Sequence, residues 1–541
     1  MANIICRSVS FGYPASENEV FNNLDLLIDT QWRSALVGRN GRGKSTLLKL
    51  LHRDLEPTSG HIEIPVATRL FPNTPANPTE CVFAVVKDAT GPFRQWEEEM
   101  ERLLDDKNEL SVARYCELEQ QYEEANGYKI DGRIECELES MGLSDYDDRP
   151  FANLSGGEQT RALLAALFVP EDGYPLIDEP TSHLDMAGRE RVASYLATKR
   201  GFLIVSHDRS FLDEATDHVV SLNKADTRTQ RGSYSVWRNN FLAEQHQEVE
   251  RSETLRRQIR KLSKAAVQRR DSAQARETDK AAHTDKGYIG HRAAKQMKRA
   301  LNIERRRGRD VEERRGLLKN QEKIRDLKVA AKTNKRTNQQ KDTRKILFAV
   351  NGLSVRIGER LLLRGFALRL SKGERIAVLG PNGCGKTTLL NLVCGDHAEF
   401  AGDLTRAPAI TISRAHQQPR WTIGSLPDQL YEAGYDATRF RQIMATMGVS
   451  GHQLDRPLET FSQGELKKVD LTRTFMEPVD LLVWDEPLNY IDIETREQII
   501  DVVLRDKPTV LFVEHDRHFV ERVATRVIEL DANGTPIKGC G

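Results

Sequence analysis

Two stretches of the chain have the residue types and spacing of a loop that holds phosphate. Gly38, Asn40, Gly41 and Gly43 lead into Lys44, Ser45 and Thr46, and Gly380, Asn382, Gly383 and Gly385 lead into Lys386, Thr387 and Thr388. Glycine lets backbone N–H groups turn inward around phosphate oxygens. A lysine at this place reaches the β and γ oxygens, and the hydroxyl after it suits Mg²⁺. Each loop is followed, in the same order, by an Asp-Glu pair and then a His-Asp pair. Asp178 and Asp485 are candidates for the Mg²⁺ shell, and Glu179 and Glu486 for polarising an attacking water as general bases. His207 and His515 stand about 29 residues after these pairs and would contact a γ-phosphate. A lone Asp-Glu pair is usually a solvated surface pair, and a lone histidine usually a satisfied core residue. The same order of motifs in both halves argues against those readings.

These groups need elements to hold them. SALVG at 34–38 and IAVLG at 376–380 are short apolar runs that end at the glycine loops, and Leu-rich segments follow. That pattern predicts a buried strand, a loop and the start of a helix. The Asp-Glu and His-Asp pairs also end apolar runs, so the ligand groups should stand at strand C-termini of an α/β sheet. Pro175 would be unusual inside a central strand and is expected to be its first residue. The repetition covers four motifs: the loops, LSGGE at 154–158 with FSQGE at 461–465, LIDEP with VWDEP, and VSHDRSF with VEHDRHF. Two homologous α/β domains follow, at 1–243 and 346–541. The interval from loop to Ser-x-Gly is about 110 residues in the first and about 75 in the second, and a Glu-rich helical insert near 93–127 accounts for the excess.

Between the halves the composition changes. The net charge of the whole chain is +0, but residues 245–345 hold 31 Lys and Arg against 14 Asp and Glu. This stretch therefore carries +17 and the remainder −17. Leu255, Ile259, Leu262 and Ala266, and then Leu317, Ile324 and Ala331, form narrow apolar seams on charged segments. They predict an antiparallel coiled-coil hairpin over 244–345, turning near 283–290, with a reach of roughly 60 Å at 1.5 Å per helical residue. A charge run usually only solvates a helix. An imbalance this one-sided exceeds what salt-bridged faces need and favours phosphate, hence nucleic acid. Near the turn, Tyr288 and His291 would stack on bases, while Arg292, Lys295, Lys298 and Arg299 would hold RNA phosphates. The seven cysteines are scattered without metal-ligand spacing, which suits a reducing cytoplasm. No signal-peptide layout and no uncharged apolar run near the ~20 residues of a membrane span is present, so no membrane contact is expected.

Ser155, Gly156 and Gly157, together with the loops and acidic pairs, resemble the ABC ATPases. That resemblance implies two ABC-type cassettes arranged head to tail, with each ATP held between one cassette's phosphate loop and the other's Ser-x-Gly signature. Lys44 would share a nucleotide with Ser462 and Gly464, and Lys386 with Ser155 and Gly157. The resemblance also implies that Tyr13 stacks on adenine, where the second half has Ile357. Gln417 would be a Mg²⁺-reaching loop glutamine, where the first half has Asn73. Gln463 replaces a signature glycine, so unequal hydrolysis at the two sites is expected. One chain supplies both cassettes, so a monomer with no obligatory subunit is expected. The basic linker and the absence of a membrane domain are similar to the ABC-F family of ribosome-binding ATPases. The segments at 38–45, 232–241, 285–306 and 485–497 resemble its Lsa/Vga-type antibiotic-resistance branch. That resemblance implies ATP and Mg²⁺ as ligands, and action at the tRNA exit site of the bacterial ribosome against rRNA and the peptidyl-site tRNA. Lincosamides, streptogramin A compounds and pleuromutilins would be displaced. A housekeeping ABC-F factor shares every motif, and the ATPase subunit of an efflux transporter is the reading from another class. A structural DNA-maintenance ATPase would split one cassette around its coiled coil, and both cassettes here are complete.

Overall fold

The computed structural model describes residues 2–14, 19–105, 108–143, 149–182, 184–223, 227–244, 247, 346–358, 360–396, 399–449 and 451–538. The chain divides into two units. One comprises Met1–Leu222, Thr227–Tyr234 and Arg325–Gly541, and the other Asn223–Asp226 and Ser235–Ile324. The first unit holds both repeats. The second falls almost wholly outside the described residues; within it Trp237 and Phe241 stack at 5.2 Å. The expected coiled-coil hairpin, and with it Tyr288, His291, Arg292, Lys295, Lys298 and Arg299, lies outside the described residues.

Each repeat is built from a six-stranded sheet and a three-stranded antiparallel sheet. In the first, the strand Arg33–Val37 lies in the middle of its sheet and pairs parallel with Phe202–Val205 (Ala35 opposite Ile204) and with His218–Leu222 (Ala35 opposite Val219). Tyr174–Asp178 and Thr68–Phe71 continue the parallel order on one side, and Thr227–Arg231 adds an antiparallel edge on the other. The second repeat has the same order: Ile412–Ala415, Leu481–Asp485, Val510–Val513, Arg375–Leu379, Arg526–Leu530 and Pro536–Lys538. Runs such as FLIV and VLFV are buried at every residue, as inner strands covered on both faces must be.

The strand, loop and helix read from SALVG and IAVLG are present, with helices Lys44–His52 and Lys386–Cys394 opening directly after the glycines. The Asp-Glu strands end at Asp178 and Asp485. One detail differs from expectation. The strand Tyr174–Asp178 begins one residue before Pro175, and Pro175 faces Arg69 of the neighbouring strand. Register with Phe202–Val205 starts only at Leu176, so the missing N–H of Pro175 takes no bond from that side. The segment near 93–127 forms helices Phe93–Asp105 and Glu109–Glu124.

Candidate nucleotide sites between the repeats

The two phosphate loops are shaped by backbone that only glycine adopts easily. Gly43 (φ 87°) and Gly385 (φ 101°) cap their helices in the left-handed region with no side-chain cap, so the first-turn N–H groups point toward where an anion would sit. A Cβ on Gly43 would stand 2.5 Å from Cγ1 of Val20. Lys44 Nζ donates to the Gly38 carbonyl at 2.7 Å, and Lys386 Nζ to those of Gly380 (2.7 Å) and Pro381 (2.8 Å). Burial lowers both lysine pKa values. Glu179 opposes the shift at Lys44, and Cys384 and Glu486 oppose it at Lys386.

Asp178 and Asp485 sit at the sheet ends beneath these loops. Burial raises both carboxyl pKa values; the Ser45 hydroxyl and Lys44 oppose this at Asp178, and Thr387, Arg414 and Lys467 at Asp485. Both carboxylate oxygens of Asp485 are buried without a hydrogen-bond partner among the described residues. A buried carboxylate with open lone pairs beside a hydroxyl fits a hard divalent cation, whose remaining ligands come from phosphates and water. Among the described residues no cluster of three or more His, Cys, Asp or Glu gathers, as a site of that kind requires none.

Glu179 and Glu486 stand at φ 49° and φ 48°, in the left-handed region that a side chain rarely occupies. Their N–H groups still bond to the next strand, at Val205 (2.9 Å) and Val513 (3.0 Å). The chain thus turns sharply one residue after the sheet and aims each carboxylate out of it. The histidines close on them: His207 Nε2 lies 3.3 Å from Glu179 Oε1 and His515 Nε2 3.7 Å from Glu486 Oε1. Burial holds both imidazoles neutral, His515 down to about 3 and His207 well below its usual value.

The two carboxylates differ in what holds them. Glu486 Oε2 accepts from Asn489 Nδ2 at 2.6 Å and from Gln417 Nε2 at 3.2 Å. In the first repeat Ser182 replaces Asn489, and its hydroxyl bonds instead to the Glu179 main-chain carbonyl at 3.0 Å. Glu179 Oε1 has no hydrogen-bond partner among the described residues, nor does Asn73 Oδ1. Burial, and then the adjacent Asp178, push the Glu179 carboxyl up to about 8. The role of Asn489 was not read from sequence, although its replacement of Ser182 in the aligned halves is visible there.

The repeats meet across these sites. Asn40, in the first loop, donates from Nδ2 to the Tyr490 carbonyl at 3.2 Å. Gly464 of the second signature packs there: a Cβ on it would lie 2.5 Å from the Tyr490 carbonyl and 3.2 Å from Asn40 Nδ2. The substitution Gln463 is exposed and leaves this contact intact. Asp492 and Lys468 of the second repeat lie in the field of Lys44, and Asp185 of the first in that of Lys386. Arg189 bonds Asp208 at 2.9 Å and reaches across to the His515 carbonyl at 3.2 Å. Arg496, its counterpart, bonds Asp516 at 2.7 Å. Ser155 and Ser462 each cap their own helix in a reciprocal box with Glu158 and Glu465. Because each Oγ accepts from its own helix, the hydroxyl proton remains free to donate to a phosphate oxygen. Tyr13 stands beside the first loop, its hydroxyl 3.1 Å from Thr46 Oγ1; Ile357 is 55 % exposed and offers no ring.

Comparison with known proteins agrees with this geometry. The family model described as ABC transporter matches residues 21–182 and 363–489. The ATP-binding protein Uup of Haemophilus influenzae is 27 % identical over 556 residues, covering 97 % of this chain and 79 % of its own. The ribosome protection protein VmlR of Bacillus subtilis is 26 % identical over 539 residues, covering 98 % and 87 %. The fold also matches the archaeal ribosome recycling factor aABCE1, solved in complex with stalk protein aP1 (TM-score 0.60, 18 % identity, 98 % and 90 % coverage). Among the described residues no helix is long and apolar enough to cross a membrane. The chain belongs to the ABC transporter family of ATPases and carries two of its ATP-binding domains in tandem.

Proposed function

We propose that this tandem ATPase is an ABC-F protein of the cytoplasm that binds the bacterial ribosome and uses ATP to drive a basic hairpin toward the peptidyl-transferase centre, displacing lincosamide, streptogramin A or pleuromutilin drugs. The observation that carries the ATP-driven part is the contact of Asn40 with Tyr490 and Gly464. It brings a loop of one cassette against the signature of the other within one chain, so nucleotide can act as the glue and no second subunit is needed. The domains are then 1–243, 244–345 and 346–541. Glu179 and Glu486 polarise water, and His207 and His515 orient the γ-phosphate as neutral donors. Ser45 and Asp178 in one site, and Thr387, Asp485 and Gln417 in the other, would hold Mg²⁺, which when bound neutralises charge on the β and γ oxygens.

The ribosomal target is supported by the +17 stretch at 245–345 and by the similarity to the ribosome protection protein VmlR, which covers 98 % of the chain. A housekeeping translation factor is the second reading. It is favoured by the similarity to Uup, whose name carries no drug, over 97 % of the chain. An efflux subunit would co-purify with membranes rather than ribosomes. The test is expression in a sensitive bacterium. A raised inhibitory concentration for lincosamides or pleuromutilins supports protection, ribosome co-sedimentation without it supports the housekeeping reading, and membrane association overturns both. Replacing 284–298 by a short Gly-Ser turn should abolish protection and leave basal ATPase intact; full protection without the tip would overturn the hairpin's role.

A further inference from the structure

The helix that opens at the second signature, Gln463–Met476, carries a polar row that its counterpart lacks. Lys467, Asp470 and Arg473 lie three residues apart on one face and are all buried. Lys467 Nζ donates to the main-chain carbonyls of His416 (2.8 Å) and Glu486 (3.2 Å). Asp470 Oδ2 accepts from the His416 N–H at 3.0 Å. Arg473 pairs with Asp470 at 3.0 Å and donates to the Arg414 carbonyl. The helix therefore grips the backbone of the strand Ile412–Ala415, the turn that carries Gln417, and Glu486 itself. In the first cassette the same positions of helix Gly156–Phe168 are Thr160, Leu163 and Ala166, buried as well. That helix packs on the strand Thr68–Phe71 without the charged row.

Burying an ammonium is costly unless its donors are satisfied, and Asp470, Glu514, Glu486 and Asp485 all face Lys467. A packing role needs no charge there, as Thr160 demonstrates. Gly464, at the start of the same helix, faces the other cassette's loop through Asn40. One end of a single rigid helix thus touches the Lys44 site, and its first turns hold the carbonyl of Glu486 in the Lys386 site. Glu486 is also the residue at φ 48°, where a small backbone shift re-aims the carboxylate. We infer that Lys467 is a positioning residue that ties Glu486 and the Gln417 turn to the signature helix, so that nucleotide at the Lys44 site sets the hydrolysis rate at the Lys386 site. The first cassette lacks the row, so the coupling runs in one direction. This rests on Glu486 being the base, as proposed above.

The test is a mutant cycle on the full chain, with Glu179→Gln throughout so that turnover reports the Lys386 site. Lys44→Ala is placed on the parent and on Lys467→Met, and ATPase kcat and KM are measured. Lys467→Met should lower kcat about tenfold and leave KM within about twofold, because ground-state ATP contacts lie elsewhere. Lys44→Ala should cost about tenfold in the parent and less than about twofold on Lys467→Met. Lys467→Arg, which keeps the donors, should restore most of kcat and the dependence on Lys44. If Lys467→Met fails to fold, the first-cassette set Lys467→Thr, Asp470→Leu and Arg473→Ala takes its place in the cycle. An equal Lys44→Ala factor in both backgrounds, or an arginine variant no better than methionine, overturns the tie. Retained turnover in Glu179→Gln with Glu486→Gln overturns the base assignment instead.

Discussion

At the site built on Lys44 the second cassette is drawn in closely. Arg39 pairs with Glu494 at 2.9 Å, and Arg209 with Glu497 at 2.7 Å with side chains only 13 % and 20 % exposed. At the site built on Lys386 the aligned residues are Pro381 and Ala187 for the first pair, and no bridge between them is chemically available. The second pair becomes Arg517 and Glu190, 3.6 Å apart and 58 % and 63 % exposed. The chemistry runs the other way. Glu486 is held by two amide donors beside its histidine, whereas Glu179 lacks those donors and burial favours its protonated form. The Lys44 site thus grips the other cassette through its ion pairs, and the Lys386 site holds its carboxylate more firmly.

The largest effect should come from removing both bases. Glu179→Gln with Glu486→Gln keeps the loops, Asp178 and Asp485, so ATP should still bind while turnover falls by about 100-fold or more. Steady-state ATPase and binding of a fluorescent ATP analogue measure the two. Near-normal hydrolysis would end the comparison, because neither site would then use these carboxylates.

The single variants sharpen it. Glu486→Gln should cost at least about tenfold more turnover than Glu179→Gln, because only Glu486 is both oriented and bonded. Asn489→Ser, which gives the second site the residue of the first, should lower kcat by a few-fold to about tenfold with little change in KM. Equal rates for the two single glutamine variants would mean that the different surroundings of the carboxylates have no kinetic meaning.

The gripping side has its own test. Gly464→Ala places a methyl 2.5 Å from the Tyr490 carbonyl, so the helix start or the second cassette must shift. ATP-dependent closure at the Lys44 site should weaken about tenfold, read from the nucleotide needed to half-saturate closure by a distance probe across the interface. Arg39→Ala should weaken it by less, about twofold, since partly exposed ion pairs contribute only about 0–1 kcal/mol. Raising the salt concentration should shrink the Arg39 effect and leave that of Gly464 unchanged.

What could be read in sequence were the local devices. A glycine-spaced loop after an apolar run and an Asp-Glu pair at a strand end each fit in a dozen residues, and both repeats display them. The head-to-tail arrangement came only from resemblance, since no periodicity reports which surface meets which. The asymmetry was legible where it lay inside a motif, as at Gln463, Asn73 and Ile357. It was hidden where it depended on an unusual backbone turn or on contacts far apart in sequence. Asn489 reaches Glu486 only because the chain turns at φ 48°, and Lys467 reaches His416 across 51 residues. The charges of Lys467, Asp470 and Arg473 against Thr160, Leu163 and Ala166 were the available signal. On a helix they read as a solvated face until the structure buries them. The extra strand residue before Pro175 was missed for a related reason, because a proline is tolerated where only one neighbour needs bonds.

The smallest expected effect concerns adenine. Tyr13 is held in place on two sides: its ring meets Phe11 edge-on at 5.1 Å and its hydroxyl lies 3.1 Å from Thr46 Oγ1. The second cassette has Val355, Ile357 and Thr388 at the three aligned positions, so the hydroxyl partner is present and both rings are missing. An aromatic pair adds about 0.5–1.5 kcal/mol beyond the area it buries, or roughly two- to tenfold in affinity. Tyr13→Ala should therefore weaken ATP at the Lys44 site toward the upper end of that range, because it removes both the platform and its brace to Thr46. Ile357→Tyr should tighten ATP at the Lys386 site by only about twofold. The new ring gains a face for adenine and can reach Thr388, but Val355 gives it no aromatic edge to lean on. Nucleotide titration with the opposite site disabled by Lys44→Ala or Lys386→Ala separates the two affinities. A gain at Ile357→Tyr as large as the loss at Tyr13→Ala would mean that stacking alone matters. No gain at all would mean that the strand end at Ile357 does not face adenine, and the gripping site would then owe its ring to something other than the base.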